Sequence, residues 1–203
     1  LPARFLWQAY RSVLGAETTP ESSPLDKTAL SWRLMRLLPQ LLDKTHFSSL
    51  RRFLQGDDDQ RKRHQLSERL ADLFDQYQVY RADWLEDWAT GRDQLKHIKG
   101  GLKPLDADNL WQAELWREVL ADVGEGALEQ SRAGVHKRFI AHLREAGQAP
   151  KGLPRRVVVF GISSMPAQVL EALAMLSSYS QVLLFVHNPC RHHWGDIVAA
   201  KEL

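Results

Sequence analysis

The chain has 203 residues, 44% of them hydrophobic and 26% charged, enough apolar side chain to fill the core of one large domain or of one and a half small ones. With 27 Lys and Arg against 25 Asp and Glu, the net charge of +2 excludes strong nonspecific attraction to a polyanion, so any nucleic-acid contact must be local. One cysteine excludes an internal disulfide, and no apolar run approaches the ~20 residues that span a bilayer, so no membrane partner and a reducing, cytoplasmic setting are expected.

The first residues, Leu1-Pro2-Ala3-Arg4, carry neither an initiating Met nor a signal-peptide pattern, which reads as a segment of something longer. Arg4 to Leu14 is predicted as a helix. At about 100° per residue, Phe5, Leu6, Ala9, Tyr10 and Val13 share one side, and Arg4, Trp7, Gln8 and Arg11 the other. Gly15 to Pro24 lacks periodicity and is rich in Thr, Ser and Pro, so it reads as a loop.

Thr28–Leu38 and Phe47–Leu54 are short helical candidates. A long helix is predicted from Asp58 to about Tyr80, with Leu66, Leu70, Leu73, Tyr77 and Tyr80 forming a buried seam at alternating spacings of four and three. From Thr90 to Asp106 the composition turns to Gly, Lys and Asp. Trp111, Leu115, Trp116 and Leu120 then mark another helix, and Ser131 is placed to cap a further one running to about Glu145.

After Pro150 the pattern changes. RVVVFGI (Arg156–Ile162) and QVLLFV (Gln181–Val186) are buried-strand runs flanking a helix at Ala167–Leu176, the order of a parallel βαβ unit. Two strands do not make a stable sheet alone, so further strands are expected elsewhere. The fold class is therefore α/β and mainly helical, with residues 1–150 read as a helical subdomain with flanking helices and 151–203 as the βαβ portion.

Several stretches are candidates for chemistry. His187, Cys190, His192 and His193 are zinc-ligand types, but no second Cys/His cluster answers them, and the stretch reads first as a polar turn at the carboxyl edge of the sheet. Ser163, Ser164, His187 and Asp196 do not make a hydrolase triad, because GISSM lacks the G-x-S-x-G elbow. The strand VVVFG is not followed by the acidic residues that hold Mg²⁺ in nucleotide-hydrolysing motors, and no phosphate-binding G-x-x-x-x-G-K-[ST] loop occurs. ATP hydrolysis by this segment is not expected.

The polar face of the first helix differs in kind. Arg4 and Arg11 flank Trp7, so cations can meet phosphates while the indole stacks on a base; packing of Trp7 against a neighbouring helix is the alternative. On the long helix Asp72, Asp75 and Gln76 form a stripe opposite the seam. It is either a solvated surface or a set of acceptors for the exocyclic amines of exposed bases. Arg132, in a first helical turn, is opposed by the macrodipole and needs an anionic partner, from a ligand or from a local Asp or Glu.

The strings WRLMRLLPQLL (Trp32–Leu42), LADLFDQYQVYRADWL (Leu70–Leu85) and HNPCRHHWGD (His187–Asp196) resemble the RecC family, the gamma subunit of the RecBCD exodeoxyribonuclease V complex. The resemblance runs over nearly the whole chain and corresponds to part of the amino-terminal region. It implies part of an inactive superfamily 1 helicase-like motor domain with an inserted helical subdomain. It implies no cofactor in this segment, with ATP and Mg²⁺ used by RecB and RecD type partner subunits. The implied role is to split duplex DNA and scan the emerging single strand for the recombination signal Chi. The recognition positions it carries over are Leu1, Trp7, Asp72, Leu73, Asp75, Gln76, Arg81 and Arg132. A scaffold module that binds the motor subunits without touching DNA is the alternative.

Overall fold

Helix α1 (Pro2–Leu14) buries Leu6, Ala9 and Tyr10 and ends at Gly15, whose φ of 94° an L side chain resists. The computed structural model describes residues 2–56, 60–97, 100–162 and 164–187. The loop that follows α1 folds back along that helix, with Thr19 and Ser23 buried.

Five helices then enclose one core: α2 (Lys27–Leu41), α3 (Ser48–Leu54), α4 (Arg61–Tyr80), α5 (Ala82–Ala89) and α6 (Leu110–Val123). Leu30, Leu34 and Leu38 of α2 are fully buried, at the four-residue spacing that puts one helical stripe inward. They meet Phe74, Trp88 and Trp116, with Phe74 and Trp116 stacked at 5.3 Å. Each buried indole has an acceptor, Trp88 Nε1 donating to the Gln94 carbonyl and Trp116 Nε1 to that of Leu85, so these rings carry no unpaired donor. Truncating either ring to alanine is expected to cost about 3–5 kcal/mol.

Between α5 and α6 a short antiparallel pair, β1 (Gln94–Lys96) and β2 (Leu102–Pro104), occupies the Gly- and Lys-rich stretch. The sequence reading assigned no strand there. Three-residue strands show too little alternation to register as a period.

A second core gathers α1, α7 (Arg132–Glu145), α8 (Ala167–Leu176), β3 (Arg156–Phe160) and β4 (Gln181–Phe185). The strands pair in parallel, Arg156 opposite Gln181 through Phe160 opposite Phe185, so the expected βαβ unit is present. Ser131 caps α7 as its position suggested, its Oγ accepting from the Gly134 amide at 3.0 Å. One side of the strand pair packs on the helices. Val158, Phe160, Phe185 and Val186 stay exposed.

Of residues 1–150, α1 and α7 contribute to the core beneath the strand pair: Leu6 and Tyr10 from α1, and Val135, Phe139 and Ile140 from α7. One expectation changes. On α4 the buried stripe is Ser67, Leu70, Ala71, Phe74 and Gln78. Leu66, Leu73 and Tyr77 are half-buried, and Tyr80 is 65% exposed. The stripe is rotated because small and polar residues, which a hydrophobic count passes over, pack there against α2 and α7. The expected start of this helix at Asp58 lies outside the described residues.

Candidate nucleic-acid interface

Trp7, Arg4 and Arg11 of α1 open onto a cavity of 530 Å³ whose other walls include Val79 of α4, Arg132 of α7 and Gln168 of α8. The groove thus lies where α1, α4, α7 and α8 converge, beside the loop before α2. Trp7 is half-buried. Its indole N–H donates to the carbonyls of Pro20 and Glu21, at 3.1 and 2.9 Å, while Arg11 Nε donates to Thr19 O at 3.1 Å. The loop is therefore tied to the polar face of α1: the indole edge is anchored and the residue lines the groove.

Beneath the groove a buried chain fixes α1. Tyr10 Oη lies 2.9 Å from His136 Nδ1, and His136 Nε2 lies 3.0 Å from Glu171 of α8. Burial, aided by the charge of Glu171, pushes the Tyr10 phenol well up from its ordinary range, so it stays a neutral hydrogen-bonding group.

At the floor, three helices exchange charge. Arg132 Nη2 lies 3.1 Å from Asp26, at the start of α2, and 3.2 Å from Asp75 of α4. These carboxylates answer the macrodipole problem that Arg132 poses in the first turn of α7. Lys27 meets Asp72 at 2.6 Å, and Gln76 Nε2 donates to the same carboxylate at 3.2 Å. The hydrogen bond and charge of Lys27, with a smaller part from Gln76, lower the Asp72 carboxyl below its usual range. Asp75 goes the other way: burial raises it, against the pull of Arg132 and together with Asp26 and Asp72.

The sequence-derived positions divide. Trp7 and Arg132 line one groove, Asp75 is held by Arg132, and Asp72 and Gln76 continue the same side of α4 beyond Val79, since residues three, four and seven apart share a helix face. Leu73 is half-buried on the flank of α4 that also carries Tyr80, away from that face. Arg81 is engaged elsewhere, packed over the Trp84 ring at 3.7 Å, paired with Asp83 and donating to the Lys96 carbonyl. Leu1 lies outside the described residues, as do Asn188 to Asp196, the greater part of the His/Cys stretch.

The family model "RecC, N-terminal domain" matches residues 1–203. The chain belongs to the RecC N-terminal domain family. Over 97% of its length it is 44% identical to the RecBCD enzyme subunit RecC of Escherichia coli K12, and over 97% it is 40% identical to that of Haemophilus influenzae. A RecC of Mycobacterium tuberculosis is 27% identical over 87% of the chain. The chain spans about a sixth of these curated relatives, 17%, 18% and 15% of their lengths respectively.

In this RecC N-terminal domain the groove also depends on residues that the sequence reading passed over. Gln78 is fully buried. It donates to the Leu25 carbonyl at 2.9 Å, accepts from the Arg132 amide at 3.3 Å, and takes a bond from Gln168 on its own carbonyl. No periodicity marks a buried glutamine between Tyr77 and Val79. Asp26 had a legible signal, an acidic residue just before an apolar-periodic helix, where N-caps sit. Its carboxylate instead accepts from the Ser23 amide and holds Arg132. Among the described residues, no group of three His, Cys, Asp or Glu side chains is placed to hold a metal, and no helix is long and apolar enough to cross a membrane.

Proposed function

We propose that this domain is a non-catalytic DNA-binding segment of a RecC-type subunit, lining the path of the single strand that leaves an unwound duplex and contributing to Chi recognition during double-strand-break repair by homologous recombination. The motor and nuclease chemistry, with its ATP and Mg²⁺, belongs on this reading to RecB and RecD type partners, and the α/β portion is an inactive relative of a superfamily 1 motor domain. The observation that carries the reading is that Trp7 and Arg132 line one groove, with Asp75 held by Arg132 and Asp72 and Gln76 further along the same side of α4. A ring beside the groove can stack on a base, worth about 1–3 kcal/mol. Arginines at its rim can neutralise phosphates. Carboxylates repel phosphates and gain only from donors on base edges, so acidic groups here favour reading over holding.

The test uses the full-length protein in its assembly with the partner subunits. A single strand emerging from a forked duplex is expected to crosslink at Trp7 or Asp75. Asp75→Asn is expected to change the response to Chi without changing unwinding of Chi-free duplex. An unchanged Chi response sinks the reader role. A second reading, a scaffold that contacts the partner subunits alone, draws on the exposed apolar surface of Val158, Phe160, Phe185 and Val186. Failure of Trp7→Ala to assemble, with strand contact elsewhere intact, favours that reading.

A further inference from the structure

Next to the Trp7 groove is a second hollow, of 580 Å³, lined by Lys27, Phe53, Leu66, Glu68, Arg69 and Asp72 together with Gln65. The two meet at consecutive residues, Asp26 lining the first and Lys27 the second. Nothing in the sequence-derived set other than Asp72 belongs to this second hollow.

Its chemistry suits a strand with unstacked bases. Phe53, on the short helix α3, is 53% exposed, an aromatic ring turned to water beside the hollow. Arg69 is exposed on α4 and forms no ion pair among the described residues, acting on Asp72 through its field. Lys27 is bound to Asp72 through one donor and remains 54% exposed, with further N–H groups to offer. Glu68 opposes a phosphate. It lines the same hollow and its charge acts on Lys27, while its carboxylate also lies 3.8 Å from His64 Nδ1.

We infer that this hollow is a second contact site for the same single nucleic-acid strand, continuous with the Trp7 groove: Phe53 stacks a base while Lys27 and Arg69 take phosphates on either side. The inference rests on the strand-binding reading of the groove and extends it along α4. Arg69 and Val79 mark the two ends of that stretch, about 15 Å apart at about 1.5 Å rise per residue. The bases of a strand drawn along this face pass Phe53 and Trp7 in turn, with the carboxylates of Asp72 and Asp75 between them.

The experiment uses the full-length protein in its assembly, with a photoreactive benzophenone amino acid replacing Phe53 or, separately, Trp7, and a forked duplex carrying a single-stranded oligothymidylate tail. Crosslinks at both positions, mapped to different nucleotides of one tail, are expected. A crosslink at position 7 and none at position 53 overturns the second site and leaves the groove standing. No crosslink at 7, with or without one at 53, overturns the groove reading and the continuous track together. Arg69→Ala, a surface change that leaves the core intact, is expected to lower the slope of log K against log salt for tail binding by about 0.7. An unchanged slope overturns the phosphate contact.

Discussion

Arg132 and Asp75 meet at 3.2 Å, joining the first turn of α7 to the middle of α4, yet the buried Oδ1 of Asp75 has no hydrogen bond among the described residues. The contact is one of charge without aligned geometry. Removing the guanidinium leaves Asp26 and Asp75 facing one another with no cation between them. Arg132→Ala is therefore expected to cost about 1–2 kcal/mol, between the value of an exposed pair and that of a fully buried one. Hydrogen exchange should localise the loss to the start of α7 and the loop before α2. Unaltered exchange there would show that the cluster carries no net stability.

Asp75 itself gives a prediction with a sign. Its folded carboxyl is raised by burial, so the ionised form is destabilising above the folded pKa, and that penalty fades as pH falls through it toward the unfolded value of about 3.9. Asp75→Asn removes the penalty while keeping the shape. Urea unfolding at pH 7 should find the variant more stable by less than about 1 kcal/mol, with the gap closing near pH 4. A variant less stable at pH 7 would mean that attraction to Arg132 outweighs burial.

Asp87, on α5, has the opposite linkage. Burial works against its charge, but hydrogen bonds from Gln94, Arg92 and Lys96 outweigh it and lower the carboxyl to about 2. A depressed folded pKa means stability that is complete above the unfolded value of about 3.9 and lost as pH falls toward 2. Asp87 is 2% exposed and ties β1 and the turn before it to α5, so Asp87→Asn is expected to cost about 2–4 kcal/mol at pH 7. The difference from the parent should shrink on acidification below pH 4.

Gly134 sits inside α7, where helix propensity alone favours alanine by about 1 kcal/mol. A Cβ at this position would lie 2.7 Å from Glu129 Cα and press on the Leu128 carbonyl, both backbone atoms of the turn that Ser131 closes. The clash decides the sign. Gly134→Ala is expected to destabilise by about 1–3 kcal/mol, the range of overpacking, whereas Ser131→Ala loses the cap and the bond to the Leu128 carbonyl without a clash, at about 1 kcal/mol. Thermal unfolding of the two variants side by side checks the order.

The legible parts of this fold are those where one residue type repeats at a fixed period. Leu30, Leu34 and Leu38 announce α2, the aliphatic runs announce β3 and β4, and Ser131 announces the start of α7. What stayed hidden rests on pairing across distance. Asp26 and Gln78 reach the groove only because α2, α4 and α7 bring their ends together, with Arg132 separated from Asp26 by 106 positions. The face of α4 shows both cases: the acidic stripe was readable from spacing, while the buried stripe was misplaced because Ser67, Ala71 and Gln78 carry no hydrophobic signal.

Trp7 allows its two attachments to be separated. The indole N–H bonds to Pro20 and Glu21 anchor the loop, while the ring lines the groove. Trp7→Phe keeps an aromatic face and loses the donor, so amide exchange across residues 15–24 should quicken by the equivalent of about 1 kcal/mol. Single-strand affinity of the full-length assembly should change little. Trp7→Ala removes both, and strand binding should weaken by about 1–3 kcal/mol in addition to the loosened loop. If Phe and Ala variants lose affinity equally, the ring contributes nothing by stacking and Trp7 acts only by holding the loop against α1.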